Sequence, residues 1–147
     1  MGAGAPVIIV HSLAHAVAAL SAAVAAGRSV ILASAPGAGR AAGPGWFGAL
    51  IAQARAAVPA AHSTCLLDCG DDAGAAQAAI RAGIEAVVFT GRAEIADRLT
   101  DIARQCGVRL VPRQPVAALD LAVAFLDSPE ALRRHCADVL ASSAVFC

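Results

Sequence analysis

The strongest constraint on this chain is a regular alternation of short apolar runs with longer, alanine-rich runs that carry a helical repeat. Val7-Ile8-Ile9-Val10 is apolar at every position, as a strand buried on both faces must be. Ser12 then offers a helix cap. Leu13, Val17, Leu20 and Val24 recur at helical spacing behind it, and Gly27 is a natural stop. The cycle repeats with Ser29–Ala33, a glycine-rich loop at Ala35–Gly45, and a helix from about Trp46 with Phe47, Leu50, Ile51 and Ala54 on one face, ended by Pro59. It continues with Thr64–Asp68, a helix capped by Asp71 or Asp72 that carries Ala76 and Ile80 to Gly83, and a strand at Glu85–Thr90. A helix from about Arg92 to Gln105 with Ile95, Leu99 and Ile102 follows, then Gly107 and Val108–Val111. Such alternation predicts an α/β fold: a mainly parallel sheet of five or six strands with right-handed helical crossovers. The sheet is either an open three-layer, flavodoxin-like one or a partial TIM barrel. An eight-unit barrel takes about 250 residues, and 147 residues fall well short of closing one.

The length fits one domain over 1–147, with regular βα units at 1–111 and a C-terminal extension at 112–147. In the extension the pattern weakens. Leu121–Leu126 reads as a sixth strand or part of a helix, although the link from the fifth strand is short for a parallel crossover. Ser128-Pro129-Glu130 is a strong helix start, and that helix is expected to run to about Ser142. The apolar tail Ala144–Cys147 is expected to dock onto the body or a partner.

Composition narrows the function classes. Hydrophobic residues make up 59%, yet the long apolar run at 13–26 is too short for a span and holds a histidine. No membrane segment is expected, and no basic region precedes the first apolar run as in a signal peptide. Eleven basic residues balance eleven acidic ones. With no basic stripe and few aromatics, nucleic acid is a poor partner, while zero net charge favours a homo-oligomer. There is no lysine, tyrosine or asparagine, and the lack of lysine rules out Schiff-base chemistry. Five cysteines without a pairing pattern read as free thiols in a reducing, cytoplasmic setting.

Chemistry-bearing residues gather where strands end, the edge at which parallel α/β folds bind ligands. His11 ends the first strand, Ser34 the second, Asp68 and Cys69 the third, and Thr90 the fourth. If the strand order is 2-1-3-4-5, His11 meets Asp68 and Cys69; in the order 1-2-3-4-5 the second strand separates them. The loop Gly37-Ala38-Gly39-Arg40-Ala41-Ala42-Gly43 has the form G-x-G-x-x-x-G, one residue longer than a dinucleotide fingerprint. A phosphate could sit on its backbone N–H groups with Arg40 supplying charge. The plainer reading is a flexible βα loop. For Asp68 the plainer reading is turn hydrogen bonding, and for Cys69 a buried thiol. His11 and His15 stand four residues apart, as a metal pair or in surface and capping roles. His62 and His135 lack evident partners and read as surface residues. Trp46 and Phe47 read as packing anchors.

The segment Ser29–Gly91 resembles the class II fructose/tagatose-bisphosphate aldolases. SVILASAPGAGRAAGPGWFGALIAQARAAVP is similar to that family's second strand and Ser-x-Gly-Ala loop, with Ser34, Gly37, Ala42 and Gly43 in comparable places and Ala41 where a tyrosine would stand. TCLLDCGDDAGAAQAAIRAGIEAVVFTG resembles its third strand, Asp-His-Gly turn and following units. The resemblance implies that Asp68 is the catalytic acid/base. The matched Ser34, Gly37 and Gly43, with Gly39 and Arg40 of the glycine loop and Thr90 at the end of the fourth strand, are the expected phosphate or substrate contacts. Cys69 replaces the family's zinc-binding histidine, and thiolate is itself a good zinc ligand. No cofactor is fixed by the sequence; zinc is the candidate, with Cys69 in the histidine's place and His11, from its strand-end position, as candidate ligands. The fifth strand, Arg109-Leu110-Val111-Pro112, lacks the family's glutamate, and only His135 lies downstream. The expectation is an aldolase-like protein with a small phosphorylated or carbonyl metabolite at the strand C-terminal edge and without a competent class II aldolase centre. Any residual activity would be of the metal-dependent aldehyde-lyase type. The alternatives are a non-catalytic oligomeric scaffold or a flavodoxin-like ligand-binding module.

Overall fold

The computed structural model describes residues 4–144. Its strands are β1 (Val7–Ile9), β2 (Val30–Ala33), β3 (Ser63–Asp68), β4 (Ala86–Val88), β5 (Arg109–Val111) and β6 (Leu119–Asp120). Its helices are α1 (Leu13–Ala26), α2 (Ala38–Ala41), α3 (Gly43–Ala57), α4 (Ala73–Arg81), α5 (Ala93–Cys106) and α6 (Pro129–Ala144), with one 3₁₀ turn at Leu121–Ala124. The strands form a six-stranded parallel sheet in the order β5-β4-β3-β2-β1-β6. The first five run in sequence, so β2 lies between β1 and β3, unlike the 2-1-3-4-5 alternative. The order reverses once, when β6 joins the free side of β1.

Local chemistry sets most boundaries. Ser12 Oγ accepts the His15 N–H at the start of α1, and Gly27 closes the helix at φ 65°. Asp72 caps α4 through Ala75, and Gly107 closes α5 at φ 70°. These positive φ values cost glycine little. Two expectations are corrected. The glycine-rich segment 35–45 is not one open loop: it folds into the short α2, and α3 starts at Gly43, ahead of Trp46. The sixth strand is Leu119–Asp120, two residues before the apolar run proposed for it, and that run forms the 3₁₀ turn. β6 pairs in parallel with Ile8 and Ile9 of β1. The tail expected to dock lies largely outside the described residues, which end at 144.

The contacts divide the chain into two compact units. The first comprises residues 1–32, 50–64 and 116–147; the second comprises 33–49 and 65–115. In the first, α1 packs on α6. The buried face of α1 is Ala16, Ala19, Leu20 and Ala23, while Leu13 and Val24 are exposed. The stripe Leu13, Val17, Leu20, Val24 is therefore not the core face. Alanine brings the helix close to its neighbours, with Leu20 and His15 buried among the alanines and Leu13 and Val24 left outside. Leu132, Cys136 and Leu140 of α6 complete this core, and the Arg28 guanidinium donates to the Leu140 carbonyl at 2.8 Å. In the second unit Phe47, Leu66, Leu67, Ile80, Val87 and Leu99 are buried, with α4 against α5. No helix among the described residues is long and apolar enough to cross a membrane.

Candidate functional site

In the second unit the ends of β2 and β3 are joined by side chains. Ser34 is fully buried; its Oγ accepts the Asp68 N–H at 2.9 Å and donates to the Ala35 carbonyl. Gln114 Nε2 donates to the Ser34 carbonyl at 2.9 Å. Asp68 is 5% exposed, and its Oδ1 accepts N–H groups from Gly70 (2.8 Å) and Gly37 (3.1 Å). An anionic acceptor of two backbone donors is a strong tie. The Gly37 N–H, a candidate phosphate donor, is thus already bonded to the chain's own carboxylate.

Gly39 is a packing glycine here. A Cβ on it would lie 2.5 Å from Cys69 Sγ and 3.1 Å from the Asp68 carbonyl. Arg40 is 72% exposed and meets the Asp72 carboxylate loosely, at 3.7 Å. Gly43 takes φ 84° at the start of α3 with open space about its Cα. Thr90 is exposed, and its N–H donates to the Gly70 carbonyl. Ser34, Asp68, Cys69, Gly37, Gly39 and Arg40 therefore gather at one edge.

The zinc site implied by the resemblance can be tested against these donors. Cys69 is fully buried beneath Gly39. Burial first, then the Asp68 and Asp72 carboxylates, push its thiol up to about 12. A metal ligand must be a thiolate, and this environment opposes one. His11 belongs to the first unit and spends Nε2 on Asp120. Among the described residues no three His, Cys, Asp or Glu side chains group closely enough to hold a metal ion. The donor set does not fit zinc.

A second cluster lies in the first unit, at the C-terminal ends of β1 and β6. The register sets Ile9 beside Asp120. Two residues past β1, His11 Nε2 lies 2.6 Å from Asp120 Oδ1, an oxygen that also accepts the Ala122 N–H. Desolvation pushes the Asp120 carboxyl up, but the hydrogen bonds from His11 and Ala122 outweigh it and hold the group below its ordinary range. A depressed carboxyl favours the fold above its unfolded value, near 3.9, and loses that contribution as pH falls through the folded one.

His15, read as one of a metal pair or in a surface or capping role, is not at the surface. It is fully buried. Its Nδ1 accepts the His11 backbone N–H at 3.1 Å, and its Nε2 lies 3.1 Å from the Phe125 carbonyl. A ring nitrogen that accepts from an amide carries no proton, so Nε2 carries it and donates to Phe125. The Phe125 ring stands edge-on to His15 at 5.1 Å. Asp120 and Phe125 were not singled out from the sequence. The apolar run that follows Asp120 drew the sixth strand two residues too far along the chain, which hid the aspartate as a strand-end residue. His135, read as unpartnered, pairs with Asp127 at 3.1 Å on the surface, while His62 is exposed as expected. A cleft of about 330 Å³ in the same unit is lined by Arg55, His62, Ser63 and Thr64 near the start of β3. Arg55 there is committed to the Ser63 hydroxyl and carbonyl.

No protein-family model and no curated protein matches the chain. The chain is similar to the crystal structure of a Coccidioides immitis protein provisionally assigned as a fructose-1,6-biphosphate aldolase, with a TM-score of 0.60 and 18% identity. The fold is aldolase-like. The match covers 72% of this chain and 39% of that protein, and at this identity it speaks for the fold alone.

Proposed function

We propose that this protein binds a small phosphorylated or carbonyl metabolite at the C-terminal strand edge of its second unit and does not carry out class II aldol cleavage. One observation carries the reading. Asp68 ties Gly37 and Gly70 to the end of β3, which rigidifies a rim on which Arg40 stands exposed and only loosely paired. A guanidinium in that state is available for a phosphate, and on this reading Gly43 and Thr90 are the further residues that could meet the ligand, while buried Ser34 and Gly39 support the loop from below. Asp68, which the resemblance sets in the place of an aldolase acid/base, serves on this reading chiefly to hold the loop. The buried, protonated Cys69 supports the absence of metal-dependent cleavage. The test is calorimetric titration with dihydroxyacetone phosphate and fructose 1,6-bisphosphate, with and without added zinc. Zinc-independent binding that weakens tenfold or more in Arg40→Ala is expected. No binding of either sugar phosphate overturns the reading.

A second reading, self-association, is favoured by exposed apolar residues in the first unit. Val116, Val123 and Leu126 are 94%, 83% and 92% exposed on a chain of zero formal charge. Apolar surface without charge repulsion favours a second copy. Light scattering at micromolar concentration gives a dimer on this reading and a monomer against it.

A further inference from the structure

We propose that the cleft at the N-terminal ends of β2 and β3, in the first unit, binds a small aliphatic carboxylate. The carboxylate group lies among the Arg55 guanidinium, the His62 ring and the hydroxyls of Ser29 and Ser63. The cleft measures about 330 Å³, which is in the range of small-molecule sites. It is independent of the metabolite site proposed for the second unit.

The strand starts collect the polar groups. β2 begins at Val30 and β3 at Ser63. The Val30 N–H donates to the His62 carbonyl at 3.2 Å, which brings Ser29 and His62 to one edge. Arg55, near the end of α3, donates from Nε to Ser63 Oγ at 3.1 Å and from Nη2 to the Ser63 carbonyl at 3.0 Å. Two bonds to one residue hold the guanidinium in the cleft wall. A serine hydroxyl that accepts from Arg55 still has its own proton to donate. The Ser29 and Thr64 hydroxyls and both ring nitrogens of His62 have no hydrogen-bond partner among the described residues. No buried side-chain nitrogen or oxygen there lacks one, so these groups are open to the cleft and to solvent.

Charge and shape choose the ligand. No aspartate or glutamate lines the cleft, and Arg55 is its one permanently charged side chain. Such a wall matches a single negative charge, and hydroxyl and imidazole donors match the lone pairs of two carboxylate oxygens. A phosphate dianion needs more positive charge than this wall carries. An adjoining hollow of about 190 Å³ shares Ser29, Ala61 and His62 with the cleft and adds Ala23, Val24 and Ala60. Arg28 lines the hollow too, but its guanidinium donates to the Leu140 and Gly4 carbonyls. A short alkyl chain that runs from the carboxylate into the hollow therefore meets mainly alanine and valine.

The test follows the backbone amide signals of Ala61, Ser63 and Thr64 by NMR on the full chain. It is titrated with acetate, butyrate and inorganic phosphate at an ionic strength held constant with chloride. Saturable shifts are expected with both acids. Butyrate is expected to bind about tenfold more tightly than acetate, because each buried methylene is worth about fourfold. Phosphate is expected to bind more weakly than butyrate. His62→Ala and Ser29→Ala, both at exposed positions, are each expected to weaken butyrate about fivefold, with circular dichroism as the check on folding. Arg40→Ala, which removes the cation of the second-unit rim, leaves butyrate binding unchanged. The proposal is overturned by the absence of saturable shifts with butyrate, by phosphate binding more tightly than butyrate, or by undiminished binding in folded His62→Ala and Ser29→Ala.

Discussion

Cys69 and His15 show how placement sets the chemistry of a side chain. Cys69 follows the carboxylate of Asp68, lies beneath Gly39 and has no exposed surface. With its thiol pushed up to about 12, roughly one molecule in 10⁴ carries a thiolate at pH 8. N-ethylmaleimide at that pH is therefore expected to label exposed Cys106 and leave Cys69 and Cys136 unmodified in the native protein, as read by peptide mass mapping. Burial likewise pushes Cys136 up to about 11. Rapid native labelling of Cys69 would show that its surroundings are open. His15 is the reverse case: a buried polar ring costs little because both nitrogens are bonded, one to an amide donor and one to a carbonyl.

At the scale of elements, the segment between β2 and α3 is the most informative. Its glycines suggested an anion-binding loop, yet Gly39 is there because α2 approaches the end of β3 too closely for any side chain. Gly39→Ala would drive a methyl group into Cys69 Sγ. Overpacking of this kind costs about 1–3 kcal/mol, measurable by urea denaturation. Cys69→Ala in the same chain is expected to recover part of that loss, because the sulfur is the nearest obstacle; the Asp68 carbonyl at 3.1 Å limits the recovery. Full additivity of the two substitutions would mean that the residues do not touch. Little of this was legible beforehand. A glycine needed for close approach and a glycine that cradles phosphate look the same in sequence, and only the neighbour across the gap separates them. The caps were mostly legible: Ser12, Gly27 and Gly107 directly, and Asp72 as one of two candidates, because they act on residues within one turn of themselves.

For the whole molecule, the C-terminal extension proves to be part of the core of the first unit. Leu132, Cys136 and Leu140 of α6 are buried, and α6 covers the alanine face of α1. A chain ending at Asp127 would leave that face bare. Each buried leucine is worth about 2–5 kcal/mol, against a total stability of about 5–15 kcal/mol. The shortened chain is expected to lose its cooperative urea transition, and a retained sharp transition would show that α6 is dispensable. The same extension brings β6 beside β1, and with it Asp120 to His11.

By itself the sequence determined the α/β class, the regular strand–helix alternation of 1–111, most helix ends and the buried strands β1 to β4. It also placed Ser34, Asp68 and Cys69 at strand ends. Those features depend on local periodicity, capping and turn chemistry, which act over a few residues. The tertiary structure alone decided the strand order, the partner of His11, the burial of His15 and the tie from Asp68 to Gly37. His11 and Asp120 are separated by 109 positions, and Asp68 and Gly37 by 31. Contacts at that range are set by which strands pair and how closely helices pack. An alanine-rich chain leaves that choice open in its pattern, because alanine fits either face of a helix.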